Sequence, residues 1–308
     1  MLKYCIKRLL LLIPILLAVS FIVFSLMTLT GDPVRQLMGE EATEEDIEAK
    51  REELGYNDPV VIRYGNYMWN LLHGDLGTTI KGRDVWVEFS TRFPNTVRLA
   101  IFSICVTVIM ALPMGVIAAV KQNTLNDTAL STIAMAGISM PSFWLGLLLV
   151  LLFSVTLGWL PATGADSFKH LIMPGICLGV NNASLVTRMT RSSMVDVIRA
   201  DYLRTARAKG VSERSVILKH ALKNALIPII TIVGSQFSIL MGGTTVLEAV
   251  FAFNGTGNFT VSCIRNFEQI AATTSIVMTC IFTAVVLLAV DIVYAFVDPR
   301  VKARYTKK

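Results

Sequence analysis

Leu9-Leu-Leu-Leu-Ile-Pro-Ile-Leu-Leu-Ala-Val-Ser-Phe-Ile-Val-Phe-Ser-Leu-Met-Thr-Leu29 runs for 21 residues without a charged side chain. A helix needs roughly 20 apolar residues to cross the hydrocarbon core of a bilayer. Lys3, Lys7 and Arg8 precede the run in the manner of a secretory leader. It exceeds the roughly 7–15 apolar residues of such a leader, however, and no Ala-x-Ala cleavage site follows. It reads as a retained span.

Working outward, four more uncharged stretches reach or approach spanning length: Leu99–Val120, Leu171–Thr187, Asn224–Leu247 and Ile270–Val290. A longer one, Thr128–Ala165, has its hydrophobic centre at about Ile133–Leu157, with Trp159 where an interfacial aromatic sits. Composition agrees: 54% of the 308 residues are apolar and 16% charged, and the mean hydropathy is +0.61. Soluble chains carry about 25% charged residues. The expected fold is an all-α polytopic membrane protein with about six transmembrane helices.

Six spans place both termini on one side, and the positive-inside rule selects which side. Lys3, Lys7, Arg8, Lys121, the nine basic residues from Arg188 to Lys223, and Arg300, Lys302, Arg304, Lys307 and Lys308 fall on the side assigned to the cytoplasm, 18 of the 28 Lys and Arg. Acid gathers opposite, in Glu40, Glu41, Glu44, Glu45, Asp46, Glu48, Glu52 and Glu53. The net charge of +6 is thus polarised by membrane topology and does not indicate nucleic-acid binding. The chain divides into a first transmembrane helix (1–30), an external segment (31–95), a transmembrane domain (96–297) with a cytoplasmic loop at about 190–223, and a cytoplasmic tail (298–308).

In the external segment the acidic run reads as a solvated helix, and Val60–Leu72 as a helix at the membrane surface, with Tyr64, Tyr67, Met68 and Trp69 suited to that place. The segment either caps the membrane domain or meets an external partner.

The loop between the fourth and fifth spans is the most informative stretch. At helical spacing Met194, Ile198, Tyr202, Thr205 and Ala206 share one face, and Arg199, Leu203 and Arg207 another. Gly210 suits a left-handed helix end, Ser212 a new helix start, and Glu213 its first turn. A helix, a glycine turn and a second helix of about Glu213–Leu222 make a compact knob. Physics alone leaves two roles open: insertion into a groove on a soluble partner, or binding of anionic lipid.

Asp201-Tyr-Leu-Arg-Thr-Ala-Arg-Ala-Lys-Gly210, followed by Lys219-His-Ala-Leu-Lys-Asn-Ala-Leu-Ile-Pro228, resembles the coupling loop of binding-protein-dependent ABC importer permeases, in the subgroup that moves dipeptides, oligopeptides or nickel. The likeness extends over nearly the whole chain, through Thr30-Gly-Asp-Pro33, Ser139-Met-Pro-Ser-Phe-Trp144, Gly158-Trp-Leu-Pro161, Gly242-Gly243 and Asp298-Pro-Arg300. Two places depart from the pattern. Arg204 and Thr205 precede Ala206 where the general loop has Glu-Ala-Ala, and Phe253-Asn-Gly-Thr-Gly257 replaces a Trp-Pro-Gly-x-Gly turn.

The resemblance implies a permease in a bacterial or archaeal cytoplasmic membrane, with both termini cytoplasmic. It implies peptide import, with nickel or a metal chelate as the alternative. It also implies a second similar permease, two cytoplasmic ATPases and an external substrate-binding protein as partners. Met194, Ile198, Asp201, Tyr202, Thr205, Ala206, Lys209, Gly210 and Val211 would meet an ATPase. The sequence holds no Gly-x-x-x-x-Gly-Lys-Ser/Thr phosphate loop, so ATP and Mg belong on the partners and this chain is expected to bind no cofactor.

Inside the membrane, Pro113, Pro141, Pro174 and Pro228 either kink their helices or simply pack. Gly137/Ser139 and Gly242/Gly243 allow close helix approach, with pore lining the second reading for Pro141, Gly242 and Gly243. Asp291, the one acid well within a predicted span, is expected to pair with an Arg such as Arg188, because an unpartnered charge there costs roughly 2.5–3.5 kcal/mol. A stand-alone secondary transporter would need an ion relay, which Asp291 alone does not supply. An intramembrane enzyme would need a Ser/His, paired-Asp or His-Glu-x-x-His arrangement, and the sequence offers none at membrane depth. Cys5, Cys105, Cys177, Cys263 and Cys280 have no metal or redox spacing. His73, His170 and His220 lie outside the spans, so no metal site is expected.

Overall fold

The computed structural model describes residues 2–31, 33–39, 42–53 and 55–297, and the tail from 298 to 308, with Glu40 and Glu41, lies outside the described residues. Among these residues the regular structure is helical, apart from one isolated bridge between Thr78 and Asp84. The long helices are α1 (Leu2–Thr30), α5 (Val85–Val120), α8 (Phe168–Ile198), α11 (Leu222–Gly243) and α14 (Gln269–Val297). Short ones fill the gaps: α2 (Pro33–Met38), α3 (Glu44–Glu53), α4 (Val60–Leu72), α6 (Leu125–Ser139), α7 (Ser142–Leu149), α9 (Asp201–Ala208), α10 (Glu213–Ser215), α12 (Thr245–Val250) and α13 (Thr256–Arg265).

By length and hydropathy four single helices can cross a membrane among the described residues: Leu10–Thr30, Val85–Val120, Glu213–Gly242 and Gln269–Ile292. The span expected around Ile133–Leu157 is instead a bent pair, α6 and the helix that α7 opens (Ser142–Thr156, π-helical from Val150), turning by 94° at a break. Pro141 explains it. Its ring removes a helical N–H and pushes Met140 to an extended backbone (ψ 127°), which α6 cannot pass through. Pro113, Pro174 and Pro228, by contrast, sit inside helices that continue through them.

The fourth expected span is the 31-residue α8. It is long enough to cross but is not among the helices apolar enough to be recognised by composition. Its position accounts for that. It lies against α5, α6 and α11 and buries Ser184, Thr187, Thr190 and Ser193, so few of its residues must be compatible with lipid. Small residues bring it close to its neighbours. A methyl group added at Gly175 or Gly179 would collide with Phe102 or Val106 of α5, and one at Gly137 would press on Val180. Midway along, the Gln236 amide of α11 donates to Asn182 Oδ1 at 2.5 Å.

Outward faces stay apolar. Leu10, Leu11, Ile13 and Ile22 on α1, and Ile109 on α5, are exposed. α4 packs on α1: Tyr64 hydrogen-bonds Ser20 across 2.7 Å and meets Phe21 and Phe24 edge-on. Val61, Ile62, Trp69 and Leu72 of α4 remain uncovered. α3 holds its charges in i,i+3 pairs, Lys50 with Glu53 and Arg51 with Glu48.

Candidate coupling loop and the helix ends around it

α8 ends at Ile198, and the chain breaks at Ala200, whose extended backbone (ψ 142°) starts α9 in a new direction. The eight residues of α9 then close in a Schellman turn. Gly210 adopts φ +77°, its N–H donates to Arg207 O at 2.9 Å, and Val211 N–H donates to Ala206 O at 3.3 Å. An L side chain at that φ costs roughly 1–2 kcal/mol, so the glycine is required by backbone geometry. Arg207 then grips Glu213 with two bonds, Nε–Oε2 at 3.0 Å and Nη2–Oε1 at 2.9 Å. Ser212 occupies the first position before α10, but its hydroxyl makes no cap bond there. From Glu213 the chain passes through a π-helical stretch, Val216–Ala221, into α11.

Leu203 fixes α9 to the bundle. It is fully buried among Met194 of α8, Val216 and Ala221 at the foot of α11, and Ala119 of α5, with Ala206 and Val211 packed at the edge. Of the sequence-predicted residues, Asp201, Tyr202, Thr205, Lys209 and Gly210 are exposed, and Ala206 and Val211 half-buried. Met194 and Ile198 lie on α8 and not on α9. Met194 is fully buried and Ile198 packs on the same core, both on α8 before the break. The single face running from Met194 to Tyr202 therefore does not exist, because the chain changes direction at Ala200. Tyr202 points outward at 46% exposure while Leu203 turns in.

Around this loop lies an ion pair that sequence reading missed. Arg191 of α8 grips Asp127 in the first turn of α6 with two bonds of 2.6 Å, and Asn123 N–H adds a third to Asp127 at 2.9 Å. Asp127 is buried, and Arg199 next reaches Gln122 Oε1 at 3.2 Å. The turn between α5 and α6 is thereby tied to the end of α8. The signal was a lone acid opening an apolar stretch. The expected Asp291–Arg188 pair is not found among the described residues. Arg188 is exposed, and Asp291, half-buried, has an interaction of its own.

At the opposite end of α11, Gly242 lines a cavity of about 420 Å³ together with Thr244, Thr256, Thr260 and Thr283. Pro141 marks the bend of the α6–α7 pair and is not part of that wall. The cavity opens among α1, the end of α11, α12, α13 and α14.

A bundle of apolar helices of membrane length, with a half-open cavity among them and a pinned helix-turn element at one end, defines a polytopic membrane protein. The chain belongs to the family of binding-protein-dependent transport system inner membrane components: the family model matches residues 111–303, and that of the family's N-terminal portion matches residues 1–100. It is similar to the glutathione transport system permease protein GsiC of Escherichia coli O6:H1, with 44% identity covering 98% of this chain and 99% of that one. The protein of the same name from Salmonella typhi is 43% identical over the same shares. Among solved structures, an inward-facing MetNI methionine ABC transporter aligns with TM-score 0.59 at 20% identity, covering 68% of this chain and 95% of that one. An amino acid ABC transporter with histidines gives 0.52 at 12%, covering 69% and 94%. The protein is thus an ABC importer permease of the bacterial inner membrane, a transport subunit and not an enzyme, working with ATPase and substrate-binding partners.

Proposed function

We propose that the α9 end of the bundle faces the cytoplasm, that α9 is the element pushed by the ATPases, and that the cargo is a short peptide. One observation carries the coupling role: α9 hangs on a single buried anchor, Leu203, while Tyr202, Thr205 and Lys209 stand free at its surface. A force on that outer face passes through Leu203 into α8, α5 and the foot of α11 together, because all three contribute to the same packed cluster. The excess of Lys and Arg between Arg188 and Lys223 supports the cytoplasmic placement.

The working complex in this reading has a second similar permease, two ATPases that keep ATP and Mg to themselves, and an external binding protein that delivers the solute. Support for peptide cargo comes from relatives at 43–44% identity that carry the name of a glutathione permease, glutathione being itself a small peptide. The test is uptake by the assembled system of radiolabelled glutathione, dipeptides and longer peptides, with chelated nickel in parallel. ATP-dependent uptake of a peptide is expected. Uptake of nickel alone would remove the peptide assignment and leave the permease in place.

A further inference from the structure

Far from α9, the short α12 carries a carboxylate that neither the coupling loop nor the transport assignment uses. Glu248 is fully buried. Its partners are neutral. Thr96 Oγ1 of α5 donates to Oε1 at 2.8 Å, Thr244 Oγ1 donates to the same oxygen at 2.8 Å, and the Asn258 N–H of α13 donates to Oε2 at 2.9 Å. Thr96 Oγ1 in turn accepts the Thr256 N–H at 2.9 Å. A second strap runs alongside, from the Asn95 side-chain amide to Asn254 O at 2.8 Å.

The turn Phe253–Gly257 folds onto this group so tightly that only glycine fits twice. A Cβ at Gly255 would stand 2.4 Å from the Glu248 carboxylate, and one at Gly257 would stand 2.6 Å from Thr245 Cα and 2.9 Å from Glu248 Oε2. That accounts for Gly255 and Gly257 in a turn that otherwise departs from the family pattern. Phe251 and Phe253, which lead into the turn, are buried in one cluster with Leu99, Met173 and Leu240. One acceptor thus ties α5, the break after α11, α12 and the start of α13 into a single knot. Thr244 and Thr256 of that knot, with Gly257, also form wall of the 420 Å³ cavity.

We propose that Glu248 is a positioning residue that clamps the Phe253–Gly257 turn over the outer mouth of the transport path, so that opening this end requires its hydrogen bonds to break. The proposal rests on the sidedness given above. Each bond contributes through neutral donors, so an amide of the same shape keeps the clamp: its oxygen takes the Asn258 N–H, and its NH₂ donates to the threonine hydroxyls, which rotate. Truncation orphans the buried donors, a loss of about tenfold or more in any equilibrium that depends on the clamp.

The experiment uses the whole permease–ATPase complex in proteoliposomes without ATP, loaded with radiolabelled glycine. Wild type and Glu248→Gln are expected to hold the tracer within about twofold of each other, while Glu248→Ala leaks about tenfold or more faster and Thr96→Val falls between. Equal tightness of Glu248→Ala at equal incorporation overturns the clamp, as does Glu248→Gln leaking like Glu248→Ala. If Glu248→Ala does not assemble, Thr96→Val, which is nearly isosteric, decides alone. Sidedness is read separately. A cysteine replacing the exposed Asn254 is expected to react with an impermeant maleimide added outside intact cells, and failure there overturns the orientation whatever the leak rates.

Discussion

Two side chains measure how α9 and its surroundings are held. Leu203→Ala removes the buried anchor and leaves a cavity, at a cost of about 2–5 kcal/mol. Since that cost falls on the joint between α9 and the bundle, the variant is expected to insert and assemble yet lose most stimulation of ATP hydrolysis by the binding protein. Stimulation equal to wild type would remove Leu203 from the force path. Asp127→Asn strands the Arg191 guanidinium beside a neutral amide, and breaking a buried pair costs about 3–5 kcal/mol, discounted here because Arg191 keeps 29% of its side chain exposed. A fall in melting temperature of the detergent-purified complex is expected, partly recovered by Asp127→Asn with Arg191→Leu. Failure of the second change to recover any of it would show that the two residues act independently. The exposed Arg207–Glu213 pair provides the contrast: water screens it, so Glu213→Gln is expected to leave the melting temperature of the complex unchanged.

The helices show what the sequence could and could not state. α4 was legible to the residue, because Pro59 starts it and its apolar positions recur at helical spacing. Gly210 as the end of α9 was legible too, since few residues tolerate a positive φ. The break at Ala200 was not. Alanine is a strong helix former and nothing local demands a turn there, so the new direction is set by Leu203 dropping into the core. The 94° bend at Pro141 has a visible cause, but proline equally permits the unbroken helices at Pro113, Pro174 and Pro228, and only tertiary packing separates the two outcomes. Glu248 escaped notice because a single acid between apolar residues does not reveal whether it meets water or hydroxyls. The glycine turn supports a graded prediction. Gly210→Ala stores about 1–2 kcal/mol of backbone strain and is expected to slow uptake severalfold at most. Gly210→Pro cannot adopt φ +77° and loses the N–H bonded to Arg207 O, so uptake is expected to fall to background with the protein still in the membrane. Equal uptake by both variants would count against this turn as the docking element.

At the scale of the molecule everything depends on which end meets the ATPases. α5, α8 and α11 run between two unlike ends: α9 with its basic neighbours at one, α3, α4 and the α12–α13 segment at the other. Long loops cross membranes almost regardless of charge, whereas short basic ones near span ends stay inside, and the loop from Arg199 to Glu213 is of the second kind. Cysteine at Tyr202, exposed on α9, is therefore expected to resist an impermeant maleimide in intact cells and to react once the membrane is opened. Cysteine at Lys50, on α3, is expected to react in both. The reverse pattern would put α9 where no cytoplasmic ATPase can reach it. A reversed outcome would also move the Glu248 knot to the inner mouth, where a seal in the resting state of an importer would block the exit of cargo instead of its return.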